Sequence, residues 1–150
     1  MTESINTASL KVKSLPISTK MSVEICNLIR DRPLSKSRRL LQDVVDMRRA
    51  IPIKRFNADL GHKPGMAAGR FPVIASKTFL KLFDSVEANA ENKGLNVNNL
   101  VVTFAKADKG EARWRSGRKG RTKMKNTHVQ LVVEERAAET KEAKKWLRDK

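Results

Sequence analysis

The stretch LVVTFAKADKGEARWRSGRKGRTKMKNTHVQLVVEE, residues 100–135, joins two apolar runs through a strongly cationic middle. The runs at 100–106 and 128–135 are rich in β-branched side chains, which favour strands. We expect these two strands to pair antiparallel, with Val101, Thr103 and Ala105 on one face of the first strand. Nine Lys/Arg and two acids lie from 106 to 125, together with only two bulky apolar side chains. The stretch therefore predicts a long β-hairpin arm, residues 100–135, whose outer part has almost nothing to bury.

The predicted arm is long compared with the rest of the chain. Fully extended at about 3.3 Å per residue, each side reaches roughly 50 Å, whereas a compact domain of this size has a radius of gyration of about 13 Å. A two-stranded ribbon is marginal in water, and repulsion between its cations weakens this one further. Ser116, Gly117 and Gly120 supply turn chemistry. We expect residues 107–125 to be mobile alone and to become ordered against an anionic partner.

The composition points to the same partner. The 150 residues include 32 basic and 16 acidic side chains, giving a net charge of +16 and a pI near 10.5. Nucleic acid is the commonest partner for such an excess, although a solvated basic surface without a ligand is the alternative. Residues 106–126 alone have a net charge of +7. The length favours a single domain with one modest core.

Other sequence features bear on location. No apolar run approaches the roughly 20 residues of a membrane span, and the N-terminus lacks the pattern of a secretory signal. We therefore expect a cytoplasmic protein without a membrane partner. The single cysteine, Cys26, suits a reducing compartment. Its position beside Ile25 and Ile29 favours a packed thiol over a nucleophile.

Three helices are predicted before the arm from apolar residues at helical spacing. Their approximate spans are 19–30, 35–49 and 76–93. Ser18 or Thr19 can cap the first helix, Ser35 the second, and Ser76 opens the third. Gly94 is a suitable C-terminal cap for the third helix. These helices supply the apolar faces that a small core requires.

The remaining segments complete the predicted fold. Residues 9–18 read as a short strand interrupted by Pro16, and residues 51–72 as an irregular loop with three glycines and three prolines. A charged helix is expected at 137–149. The fold class is α+β, with about three helices on a short antiparallel sheet, a protruding hairpin and a C-terminal helix. The body comprises residues 9–105 and 127–136.

Catalytic, metal and nucleotide sites are disfavoured. His62, His128 and Cys26 lack metal-ligand spacing, and the glycines at 61, 65 and 69 do not form a phosphate-binding loop. The carboxylates Asp84, Glu87 and Glu91 have the spacing of a solvated helix face. We expect no enzyme activity, no cofactor and no metal. His128 is interpreted as a structural or RNA-contacting hydrogen-bond donor.

Arginine gives the arm more than charge. Its planar guanidinium binds phosphate through two hydrogen bonds and stacks on bases, which a lysine ammonium cannot do. Trp114 lies between Arg113 and Arg115 and can stack on a base. The alternative for Trp114 is packing at the root of the hairpin.

Several stretches together resemble one family. KMSVEICNLIRDRPLSKSRRLLQDVV resembles the first two helices of the universal large-subunit ribosomal protein numbered twenty-two in bacteria and seventeen in eukaryotes. VEANAENKGLNVNNLVV resembles its third helix and the entry to its hairpin, and Gly117–Arg118 followed after nine residues by HVQLVV resembles its signature. RRAIPIKRFN and GHKPGMAAGRFP resemble an insertion of the archaeal and eukaryotic branch. The resemblance covers about residues 9–136.

The residues just before the signature depart from the family pattern. The family more often has a basic residue followed by a small one, whereas this chain has Trp114, Arg115 and Ser116. The register of the arginines at the tip is therefore open.

The resemblance implies a structural protein of the large ribosomal subunit, with a body on the outside of the subunit and a hairpin threaded into 23S-type rRNA. In the family, the hairpin tip lines the nascent-peptide exit tunnel. Implied partners are rRNA and neighbouring ribosomal proteins, with a nascent-chain contact at the tip as a further expectation. No homo-oligomerisation is expected. The candidate RNA-binding residues are Lys54, Arg55, His62, Lys63, Arg70, Lys106, Lys109, Arg113, Trp114, Arg115, Arg118, Lys119, Arg121, Lys123, Lys125 and His128.

One alternative from a different class is a free-standing basic nucleic-acid-binding or RNA-chaperone module. Sedimentation separates the two, because a ribosomal constituent travels with the large subunit. An RNA-modifying enzyme or nuclease is a third hypothesis, but the sequence offers no acid, base or metal set for it.

Overall fold

The computed structural model describes residues 6–136, within which three helices and seven strands follow one another. The helices are α1 (Thr19–Ile29), α2 (Leu34–Val45) and α3 (Val73–Asn92). The strands are β1 (Thr7–Leu15), β2 (Arg32–Pro33), β3 (Ile51–Pro52), β4 (His62–Lys63), β5 (Met66–Arg70), β6 (Leu100–Lys109) and β7 (Thr127–Glu135). The predicted α+β class is confirmed. The helix expected at 137–149 lies outside the described residues.

Strand β7 is an inner strand of the main sheet, whose order is β1-β7-β6-β2. It pairs antiparallel with β1 on one side and with β6 on the other. Its alternate residues Val129, Leu131 and Val133 are at most 2% exposed, as expected for a strand with one face on a core. The predicted pairing of the two apolar runs at 100–106 and 128–135 is therefore present, and the observed strands extend to Lys109 and Thr127.

The helices cover one face of this sheet. Phe79 and Phe83 of α3 are completely buried and belong to the same apolar cluster as Ile25 of α1, Leu41 of α2 and Leu131 of β7. Burial of apolar area on this scale is the main source of stability for a small domain. The three amphipathic helices thus pack as their apolar spacing predicts.

Two helix boundaries differ from the predictions. Helix α3 begins at Val73 rather than Ser76, because the Ser76 N–H bonds the Pro72 carbonyl at 2.9 Å and closes a turn that starts after the proline. Helix α2 begins at Leu34 and ends at Val45 rather than Arg49. It ends there because Met47 has φ of 58°, outside the right-handed region.

The predicted C-terminal cap of α3 is present. Gly94 has φ of +75°, its N–H bonds the Glu91 carbonyl at 2.9 Å, and the Leu95 N–H bonds the Ala90 carbonyl at 3.0 Å. These two bonds form a Schellman motif. The buried Leu95 then directs the chain toward β6.

Strand β6 carries a bulge that changes which side chains face the core. The register shifts between Val102 and Phe104, so Leu100, Val102 and Ala105 are buried. The sequence alternation predicts Val101, Thr103 and Ala105 on one face, which is wrong because a bulge inserts one extra residue into the strand. Phe104 is consequently 41% exposed.

Residues 51–70, which we call the insert, are more ordered than the predicted irregular loop. They contain β3, β4 and β5 in a second antiparallel sheet of order β3-β5-β4. Strands β3 and β4 have two residues each, too few to show an alternating pattern. Strand β2 also has only two residues and gives no alternating pattern in the sequence. It forms an edge of the main sheet beside β6.

Cys26 is a buried part of the core. Desolvation by burial raises the pKa of its thiol to about 12, although Arg30 lowers the pKa and Asp108 raises it further. A thiol with so high a pKa stays protonated at neutral pH and is a poor nucleophile. The geometry supports the packed thiol that the sequence suggests. No helix within residues 6–136 is long and apolar enough to cross a membrane.

We predict that Leu131→Ala lowers the free energy of unfolding by about 2–5 kcal/mol, since it leaves a cavity in the centre of the core. The matched control is Gln130→Ala, one residue earlier on the opposite face of β7, which should change stability by no more than about 0.5 kcal/mol. Urea denaturation of both variants measures the difference. Equal effects would show that β7 is not anchored through this face.

Candidate nucleic-acid interface

The root of the hairpin is fixed by close packing around Gly110. Regular pairing of β6 and β7 stops at Lys109 and Thr127, after which the Gly110 N–H bonds the Asn126 carbonyl at 2.9 Å. A Cβ at position 110 would lie 2.7 Å from Asn126 Oδ1 and 2.9 Å from His128 Nε2. Only glycine allows these side chains to pack so closely against the backbone, which sets where the two sides of the hairpin leave the body.

His128 has a contact inside the protein. The Ser14 N–H donates to His128 Nδ1 at 2.9 Å, at a point where the register of β1 shifts between Val12 and Leu15. Because Nδ1 accepts this hydrogen bond, the ring proton of the neutral imidazole lies on Nε2. This contact supports the structural interpretation of His128, which holds the irregular end of β1 against β7.

Beyond the root, the arm is held by few backbone contacts. Arg115 N–H bonds the Thr122 carbonyl at 3.0 Å and Met124 N–H bonds the Arg113 carbonyl at 2.8 Å. A short 3-10 turn, Gly117–Lys119, reverses the chain, and Gly117 has φ of +69° there. Regular pairing of the two strands therefore ends at the root, and the ribbon beyond it is irregular.

Trp114 lies in the outer part of the arm and not at its root. Its side chain is 62% exposed, it forms an isolated bridge with Lys123, and Lys123 Nζ lies 4.6 Å from the centre of the indole ring. A cation at this distance makes a favourable cation–π contact. The position argues against packing at the root and leaves much of the ring exposed to a partner.

The cations of the arm are not neutralised by the protein. Residues 111–125 contain seven Lys/Arg and one acid, and none of these residues is buried. Within the described part of the chain, none of these seven cations forms an ion pair. Lys106, which bonds Asp108 at 3.0 Å, is the one candidate RNA-binding residue there that does. Arg115, Arg118 and Lys119 line an open concavity of 380 Å³ at the tip.

The insert is anchored to α1 by a buried carboxylate. Glu24 is 3% exposed, and its Oε1 accepts a hydrogen bond from the Arg55 N–H at 2.8 Å. The next residue is Phe56, whose ring centre lies 5.5 Å from Arg55 Cζ and 5.7 Å from Lys20 Nζ. Glu24 therefore fixes a part of the insert in which an aromatic ring has two cations close to it.

The fold brings the insert and the hairpin root to the same groove. This groove, which we call the root groove, has a volume of 420 Å³ and lies between the start of α1, the insert and the two sides of the hairpin. Lys20, Phe56, Lys109, Met124 and Lys125 are among its lining residues. Two of these, Lys109 and Lys125, are among the residues that the sequence nominates.

The nominated residues of the insert lie near the root groove but do not line it. Arg55 and Arg70 line a 410 Å³ hollow on another side of Phe56, and His62 and Lys63 line a third hollow of 390 Å³ with Arg70. Lys54 is exposed. The nominated residues therefore form two neighbouring basic regions, the arm and the insert.

Sequence reasoning missed Lys20, Phe56 and Met124. The interleaving of cations with an aromatic residue in KRF, residues 54–56, is a signal for Phe56. Lys20 and Met124 carry no such signal, because their place in the groove depends on how α1 packs against the hairpin. Among the described residues, no group of three or more His, Cys, Asp and Glu side chains can hold a metal ion.

We predict that Glu24→Ala accelerates hydrogen exchange of the Ile53 amide, which bonds the Ala68 carbonyl at 2.9 Å within the insert. Loss of a hydrogen bond to a charged acceptor costs about 1.5–3 kcal/mol, so local opening should become at least tenfold more frequent. Glu24→Gln is the control, because its amide oxygen can still accept from Arg55. Unchanged exchange in the alanine variant would contradict the anchoring role.

Comparison with known proteins places this architecture in a family. The family described as ribosomal protein L22p/L17e matches residues 10–134. The large ribosomal subunit protein uL22 of Archaeoglobus fulgidus is 50% identical over 99 residues, which are 64% of each chain. The proteins of the same name from Staphylothermus marinus and Cenarchaeum symbiosum are 39% and 41% identical, covering 81% and 85% of this chain and 84% and 88% of theirs. The chain therefore belongs to the ribosomal protein L22p/L17e family, in its archaeal-type form.

Proposed function

We propose that this protein is a structural constituent of the large ribosomal subunit in the cytoplasm and that it binds 23S-type rRNA. The observation that carries the proposal is the unneutralised cationic arm, residues 111–125, attached to the core strand β7 of a member of this family. A partner with many closely spaced negative charges offsets the repulsion in such a segment. Ribosomal RNA supplies those charges.

Recognition by this arm rests on phosphate and shape. The major groove of A-form RNA is too deep and narrow for side chains to read base edges, so contacts with phosphates and unpaired bases dominate. Four of the arm's cations are arginines, namely Arg113, Arg115, Arg118 and Arg121. Their guanidinium groups suit bidentate phosphate contacts. The exposed Trp114 adds a surface on which a base can stack.

We further propose that the hairpin tip lies on the wall of the nascent-peptide exit tunnel, as the resemblance to the family implies. We extend this placement to Gly117–Lys119, the turn at the end of the arm. The surrounding rRNA holds the arm, and the tip is then the part closest to a nascent chain. The body contacts neighbouring ribosomal proteins as a single copy, and the protein has no catalytic activity of its own.

We predict that replacing Arg113, Arg115, Arg118 and Arg121 together by glutamine weakens binding to a large-subunit rRNA fragment and flattens its salt dependence. Each lost phosphate contact removes roughly 0.7–0.9 from the slope of log K against log salt, so the slope should fall by about 3. Fluorescence binding titrations at several salt concentrations measure it.

The matched control replaces four exposed cations on α2 and α3 by glutamine: Lys36, Arg39, Lys77 and Lys81. It makes the same change in net charge away from the arm and should retain most of the slope. Equal slopes in the two variants would show that the arm arginines are not phosphate contacts. Recovery of the wild-type protein in free or DNA-bound fractions, instead of with large subunits after a moderate salt wash, would favour a free-standing basic module.

A further inference from the structure

We propose that the root groove holds one unpaired nucleotide of the RNA, with its base against Phe56 and its phosphates among Lys20, Lys109 and Lys125. This inference rests on the proposed function and deepens it, since it assigns a single-stranded contact to a site separate from the tip. The groove is formed by three parts of the chain: the start of α1, the insert and the hairpin root.

Charge complementarity is the first argument for a nucleotide. None of the residues that line the groove is acidic. Lys20, Lys109 and Lys125 line it, and none of these lysines forms an ion pair within residues 6–136. Three cations without a carboxylate favour an anion of more than one charge.

The apolar part of the lining is the second argument. Phe56, Ala112 and Met124 line the same groove, and Met124 is 48% exposed. A free phosphate would leave these side chains without a contact, whereas a nucleotide within a strand offers a planar base for them and its two flanking phosphates for the lysines. Stacking of a base on an aromatic side chain is favourable and tolerates any base.

The volume and fixed geometry of the groove are the third argument. Its 420 Å³ lies within the range of about 300–1,000 Å³ that is usual for small-ligand sites. The position of Phe56 is fixed within the protein, because Glu24 accepts a hydrogen bond from the backbone N–H of the preceding residue, Arg55. A base in a duplex stays stacked on its neighbours and cannot enter such a groove, so an unpaired nucleotide fits it better than a double-stranded segment.

The test uses the full chain labelled with carbon-13 at its methionine methyl groups. Met124 reports on the root groove, and Met47, which is 66% exposed after the end of α2, reports on a distant surface. Titration with single-stranded hexa-adenylate should shift the Met124 signal saturably and leave Met47 unchanged. A 12-base-pair RNA duplex should bind without a comparable shift of Met124.

Phe56→Leu should weaken hexa-adenylate binding about tenfold through loss of the stack and change duplex binding less than twofold. Phe56→Tyr retains an aromatic face and should restore near-native affinity, while an unchanged Met66 signal from β5 shows that the insert remains folded. Lys109→Gln with Lys125→Gln should reduce hexa-adenylate binding more than Lys77→Gln with Lys81→Gln, which removes the same charge from α3.

Two outcomes would overturn the proposal for the groove while leaving the proposed function intact. One is an equal Met124 shift with duplex and hexa-adenylate, and the other is unchanged hexa-adenylate affinity in Phe56→Leu. A wild-type protein that bound neither RNA would contradict the groove proposal and the proposed function together. An acidic peptide that shifted Met124 where hexa-adenylate did not would reassign the groove to a protein partner.

Discussion

The double pairing of β7 is the constraint on which the rest of the structure depends. This strand joins β1 to the hairpin strand β6 and contributes Val129, Leu131 and Val133 to the core. Its first residue, Thr127, is buried and donates a side-chain hydrogen bond to the Ile17 carbonyl at 2.9 Å. The start of the strand is thereby tied to the segment between β1 and α1. Because a strand's register fixes which side chains face inward, this pairing also fixes where the cationic arm leaves the body.

The character of the side chains changes sharply where the arm leaves the body. Asn126 packs on Gly110 at the hairpin root, and residues 111–125 include no buried side chain. The body is stabilised by apolar burial, whereas the arm has a few exposed backbone hydrogen bonds and a high positive charge. These few contacts within the chain are the reason for proposing that a partner outside it supplies most of the arm's favourable interactions. This division explains how a segment so poor in apolar residues can continue directly from a core strand.

The features that could be predicted from the sequence have strong local signals. The β-branched runs indicate the pairing of β6 with β7, and Gly94 marks the end of α3 by a conformation that glycine adopts readily. Two-residue strands such as β3 and β4 give no periodic signal, so the sequence alone predicts an irregular loop for the insert. The bulge at Thr103 also leaves no recognisable pattern in the sequence. It reverses the faces that simple alternation assigns to the start of β6.

The candidate nucleic-acid interface, too, can be predicted from the sequence only in part. The density of cations in 106–125 is visible in the sequence, and it is the basis of the proposal that this segment contacts RNA. The root groove is different, because Lys20, Phe56 and Lys125 meet through the packing of α1 and the insert against the hairpin. Residues far apart in sequence that share no motif can be assigned to one site only once the tertiary structure is known.

We propose that packing within the protein stabilises the body and that contacts with RNA stabilise the arm. Hydrogen exchange of the free protein and of the protein in the assembled large subunit tests it most directly. We expect the Leu131 and Val133 amides to be protected in both states, and the Arg115 and Met124 amides to exchange rapidly in the free protein and slowly in the subunit. Strong protection of Arg115 and Met124 in the free protein would contradict the claim, because the arm would then be stable without RNA.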